Sequence, residues 1–132
     1  MMWDVDKGEA MNENSSIDWA VAHQTVQGDE ELLRELVSTF LDELPSLRQT
    51  LGSALGAGDA KLVQRTAHTL KGALGHFGAH RAYEAAFQVE SHGRNGQLTQ
   101  AADALAALDQ AMAELTPILL KYVGRSGHNQ RE

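Results

Sequence analysis

His68 stands in Ala67-His68-Thr69-Leu70-Lys71-Gly72, with a lysine three residues on and a glycine four residues on. Imidazole can act as a nucleophile near neutral pH, because its ordinary pKa is about 6.5. From Ala60 to Tyr83 the chain carries Lys61, Arg65, Lys71 and Arg81 and no carboxylate, whereas the flanking sequence is acidic. Lys61, Arg65 and Lys71 lie seven and three residues before His68 and three after it, positions that a helix brings to one side. Cations so placed favour an acidic partner and stabilise an arriving phosphoryl group. The chain has neither a G-x-x-x-x-G-K-[ST] loop nor a kinase-type Gly-rich loop, so a phosphoryl group would come from another protein.

Helical phase decides whether that histidine is reachable. At about 100° per residue, Val63, Ala67, Leu70, Leu74 and Phe77 fall in a stripe roughly 80° wide, the pattern of one buried face. His68 lies about 140° from the centre of the stripe and Gly72 almost opposite it, so both are predicted to face solvent. Glycine within a helix costs about 1 kcal/mol relative to alanine. At Gly72 its use is steric: it removes the side chain that would cover the imidazole one turn away. Gly75 is a second candidate for the same partner-facing surface, although it lies close to the predicted helix end.

The rest of the chain reads as helices that support this one. Residues 1–15 are polar, acidic and aperiodic, and are expected to form a flexible leader or linker; Trp3 within them has no assigned role. Ser16 or Asp18 is expected to cap a short helix carrying Trp19 and Val21, lying across one end of the fold. Asp29 begins a long helix with Leu33, Leu36/Val37, Phe40, Leu44, Leu47 and Leu51 inward, ending near Gly56-Ala57-Gly58. Pro45 predicts a kink or a tight restart within it. Asp59 caps the histidine helix, which stops near Gly75–Gly78. A further helix runs from about Ala79 through Tyr83, Phe87 and Glu90 to Gly93, followed by the turn Arg94-Asn95-Gly96. The last helix turns Leu98, Leu105, Leu108, Met112, Leu115 and Leu119 inward, and Pro117 is expected to kink it or end its regular part. Short connections between amphipathic helices make the expected fold all-α: an antiparallel up-down four-helix bundle over residues 16–124, with an additional short N-terminal helix. Residues 125–132 are expected to form a flexible C-terminal tail.

Composition narrows the functional classes. A chain of 132 residues suits a single core, built mainly from Leu, Ala and Val, since aromatics are 5% of it. A net charge of −7 argues against a nucleic-acid binder. The absence of cysteine removes disulfides, thiolate metal sites and cysteine nucleophiles. No apolar run approaches a membrane span, and the expected setting is cytoplasmic.

The stretch AHTLKGALGHFGA resembles the signature of histidine-containing phosphotransfer (HPt) domains, the relay modules of multistep two-component signalling. The resemblance runs from Ile17 to about Leu115. It includes the Gly28-Asp29 and Gly58-Asp59 helix starts, Phe40, and Glu90 to Gly96 as an acidic residue followed by a Gly-rich turn. It implies that His68 accepts a phosphoryl group on Nε2 from a receiver-domain aspartyl phosphate and passes it to another receiver aspartate. Lys71 then assists phosphoryl binding, Gly72 keeps the ring accessible, and Gln64 is a polar position beside the phosphoryl group. Lys61, Arg65 and Gly75 would face the partner. Partners are response-regulator receivers and, in some arrangements, a hybrid sensor histidine kinase; no nucleic acid or membrane is expected, and the expected state is a monomer. The chain needs no cofactor of its own, Mg²⁺ belonging to the receiver, and is a carrier without ATP-dependent kinase activity. Thr69 stands where dimeric kinase helices carry an acidic residue after their histidine.

Two other readings compete. A helical bundle could dock on a receiver or another signalling protein without being phosphorylated, and His76, His80 and Glu84 at four-residue spacing could form a metal site. Gly78 is expected to interrupt the helix between the two histidines, which weakens the second reading; His76 and His80 have no role in the HPt resemblance.

Overall fold

The computed structural model describes residues 16–124; the predicted leader, Trp3 and the predicted tail lie outside them. Among the described residues there are five helices and no strand: α1 (Trp19–Thr25), α2 (Glu30–Ala57), α3 (Ala60–His76), α4 (His80–Arg94) and α5 (Leu98–Tyr122). Each long helix packs on its successor, and α5 closes back on α2, which makes a four-helix bundle. None of these helices is long and apolar enough to cross a membrane.

Local chemistry sets the boundaries. Asp29 and Asp59 accept hydrogen bonds from the Leu32 and Leu62 amides, both at 3.1 Å, and so satisfy free donors in the first turns of α2 and α3. Asp18, rather than Ser16, caps α1 through the Ala20 amide at 3.0 Å. Gly58 ends α2 with φ +72°, a left-handed conformation that costs glycine little. Both prolines lie inside continuous helices. α2 continues through Pro45 without a restart, and α5 continues past Pro117 to Tyr122. Core residues on both sides of each proline (Phe40 and Leu51, Leu115 and Leu119) hold the helix despite the missing amide donor.

The inward stripes are those the periodicity predicts, including Val63, Ala67, Leu70 and Leu74 on α3 and Phe77 just after its end, all buried. Leu98, Leu44 and Leu47 are half-buried at the edge of the core. α4 is the unusual helix. Its buried face is Ala82, Ala86, Val89, Glu90 and Gly93, while Tyr83 and Phe87 are partly exposed. These small residues let α4 approach α3 closely: a Cβ on Gly93 would come within 3.0 Å of both the Gln64 amide nitrogen and Val63 Cγ1. That approach carries Glu90 to the histidine helix.

α1 lies across the α3–α4 turn. The Asp18 amide donates to the Gly78 carbonyl at 2.9 Å, and the Thr25 hydroxyl to the His76 carbonyl at 2.7 Å. Gly78 has φ +67°, and a Cβ there would sit 2.7 Å from the Asp18 carbonyl oxygen.

Candidate functional site

His68 projects from the middle of α3 with its side chain 65% exposed, as its phase on the helix predicts. Beneath it lies Glu90 from α4, with a side chain only 4% exposed. The Glu90 carboxylate gathers three donors. Its Oε2 accepts from His68 Nδ1 at 2.9 Å and from an Arg94 terminal nitrogen at 3.1 Å, and its Oε1 faces Lys71 Nζ at 2.8 Å. Burial pushes the Glu90 carboxyl up, but its bonds to Lys71 and His68 outweigh burial and hold it below the usual carboxylate range.

An ionised carboxylate only accepts hydrogen bonds, so the proton shared with His68 sits on Nδ1. In the neutral ring that leaves the lone pair on Nε2, the nitrogen not bonded to Glu90. The ring borders an open depression of about 620 Å³ lined by Gln64, Arg65, His68, Thr69, Glu90 and Arg94. The arrangement can present a nucleophilic nitrogen to a second molecule. It also supplies a buried anion to balance positive charge on the ring.

Several residues marked in the sequence meet here, with altered parts. Gln64 and Arg65 line the depression. Lys61 is exposed one turn before Arg65, at the start of α3. Lys71 is not a free surface cation: its side chain is 18% exposed, paired with Glu90, and its ammonium lies 5.4 Å from the centre of the Phe87 ring. Arg81 is likewise neutralised, by Glu114 of α5. The one-sign patch of the sequence is therefore half cancelled by carboxylates from other helices.

The two glycines separate. A Cβ on Gly72 would meet nothing within 4 Å, so no contact within the protein requires glycine there. A Cβ on Gly75 would come within 3.2 Å of the Tyr83 ring, a packing reason that needs no partner. His76 and His80 do not converge on a metal site; among the described residues no group of three or more potential ligands does. His80 Nε2 lies 3.8 Å from Asp18 Oδ2 instead.

Arg94 and the direct contact of Glu90 with His68 escape a reading of motifs around the histidine. One signal existed: Glu90 is in phase with Ala82, Ala86 and Gly93, so it is a carboxylate on an otherwise apolar face.

The model of the Hpt domain family matches residues 35–116. The chain belongs to the Hpt family. The Hpt match covers α3 and α4 entirely and starts within α2, later than the Ile17 start suggested by the motifs. The chain is also similar to the histidine-containing phosphotransfer protein B (HptB) of Pseudomonas aeruginosa PAO1, whose crystal structure superposes with a TM-score of 0.68 at 26% identity. The alignment covers 81% of this chain and 90% of that one. No curated protein sequence matches the chain.

Proposed function

We propose that this Hpt protein works as a phosphorelay intermediate through His68, taking a phosphoryl group from a receiver aspartyl phosphate and handing it to a second receiver aspartate. The observation that carries this assignment is the His68 Nδ1–Glu90 Oε2 bond, 2.9 Å long, on a side chain that is 65% exposed.

In the forward step Nε2 attacks phosphorus, the new N–P bond forms, and the P–O bond to the receiver aspartate breaks with the electron pair leaving on the carboxylate. No proton has to leave the histidine, because Nδ1–H stays bonded to Glu90. The ring gains positive charge as the N–P bond forms, and the fixed Glu90 carboxylate stabilises that charge without reorganising. The return to a second aspartate reverses each change. Gln64 and Arg65 are placed to contact the phosphoryl oxygens, and Lys61 to steer the acidic receiver surface. Lys71 acts through Glu90 rather than as a free phosphate ligand. Gly72 leaves room for the in-line partner, and the half-exposed rings of Tyr83 and Phe87 beside Lys71 offer the receiver an apolar contact.

Mg²⁺ in this scheme is held by the receiver. In the same reading the protein is a carrier rather than a kinase, acts as a monomer, and works in the cytoplasm.

Incubation with a phosphorylated cognate receiver is expected to transfer label to His68 as an acid-labile, base-stable phosphate. Transfer that survives unchanged in His68→Ala overturns the assignment. Absence of label from every receiver of the source organism favours a bundle that only docks.

A further inference from the structure

Glu90 holds two cations that differ in what they can do. Lys71 approaches Oε1 as a compact ammonium whose attraction has little directional preference. Arg94 approaches Oε2, the oxygen that also accepts from His68 Nδ1, at 3.1 Å against 2.9 Å. A carboxylate oxygen has two lone pairs and can accept both donors at once. The planar guanidinium therefore fixes which oxygen faces the imidazole and in what orientation. Arg94 is one turn after Glu90 on α4, its side chain is 49% exposed, and its removal empties no part of the core.

We propose that Arg94 is a positioning residue that acts through Glu90: by holding Oε2 it keeps the Nδ1–H form of His68 and leaves the lone pair on Nε2. This inference rests on the reading of His68 as phosphoacceptor. Without Arg94 the carboxylate keeps only the ammonium of Lys71 and the imidazole itself. It can then rotate about its last torsion and offer Nδ1 a poorer acceptor, so the neutral ring loses its preference between the two tautomers.

The test compares wild type with Arg94→Met, which keeps the aliphatic stem, and Arg94→Lys, which keeps the charge. The side-chain nitrogen resonances of His68 are read in the unphosphorylated proteins at a pH where the spectra show a neutral ring. Arg94→Met is expected to move population from the Nδ1–H to the Nε2–H tautomer, and to slow transfer from a phosphorylated receiver roughly tenfold, the scale of a small misorientation of a reacting group. Arg94→Lys should restore part of both. Unaltered nitrogen spectra, or an increased Nδ1–H share, overturn the proposal, the latter because Arg94 would then be competing with His68 for Oε2. Slower transfer with unaltered spectra also overturns it, since Arg94 would then be meeting the partner directly. A shifted tautomer with an undiminished rate overturns it as well. The spectra need no phosphoryl donor, so failure of wild type to take label would count against the phosphoacceptor reading and leave the Arg94 measurement standing. Thermal melts of each variant verify that the bundle is folded.

Discussion

Glu90 combines burial with ionisation, and that combination makes its replacement informative. Glu90→Gln keeps the shape but removes the charge opposite Lys71 and Arg94, and an amide oxygen is a weaker acceptor for Nδ1–H. Transfer to His68 is expected to slow roughly tenfold, measured by label uptake from a phosphorylated receiver. The acid side of the stability curve should change too. Because the folded Glu90 carboxyl titrates below its ordinary value, its contribution is present above the unfolded pKa and is lost as pH falls through the folded one. Urea unfolding between neutral pH and pH 3 should therefore fall less steeply in Glu90→Gln than in wild type. At Gly72 stability and function oppose each other. Gly72→Ala should raise unfolding free energy by about 1 kcal/mol, since the new Cβ enters open space within a helix. Gly72→Phe should fold as well and yet block transfer.

At the scale of elements, the close contact of α3 with α4 is what joins histidine to carboxylate. Gly93 sits at that contact, and any side chain there meets Gln64 and Val63 at 3.0 Å. Gly93→Val is expected to cost about 1–3 kcal/mol as the helices are forced apart, and to reduce transfer more than the lost stability explains, because Glu90 moves away with α4. Chemical denaturation alongside phosphotransfer separates the two effects. Lys71→Ala belongs to the same junction. Loss of its ion pair with the buried Glu90 carboxylate should destabilise the bundle by about 2 kcal/mol, the scale of leaving a buried charged group without one of its partners.

Across the whole molecule, the end distant from His68 is tied by a second polar junction. His23 of α1 places Nδ1 at 2.8 Å from the Trp19 carbonyl and Nε2 at 3.0 Å from Glu30 of α2. The Tyr122 hydroxyl at the end of α5 donates to the same Glu30 carboxylate, and Trp19 packs on the Tyr122 ring at 4.7 Å. Both His23 contacts are acceptors, so the imidazolium fits best, and the bond to Glu30 together with that to the Trp19 carbonyl raises the His23 pKa. The sign follows: the contribution is full below the unfolded value near 6.5 and is lost as pH rises through the higher folded one. Thermal melts should show the midpoint falling across that window in wild type and a flatter dependence in His23→Gln. Tyr122, pushed up to about 12 by burial and by its bond to Glu30, stays protonated throughout.

The sequence alone determined what depends on neighbours along the chain. Aspartates 18, 29 and 59 mark helix starts because a cap bonds amides two or three residues away, and the 3.6-residue period fixes both the core stripe of α3 and the exposure of His68. The motif around His68 was likewise sufficient to indicate the Hpt family. Only the tertiary structure decided which charges meet. Glu90 and His68 are 22 residues apart on different helices, and their contact depends on the small-residue face that draws α4 against α3. That contact selects the nitrogen left free on His68, and the same approach of α4 makes Lys71 a partner of a buried anion. It also gives Arg94 a place at the site. Ion pairing across helices depends on where two surfaces touch, and helical phase fixes the face of each residue but not the neighbour it will find there.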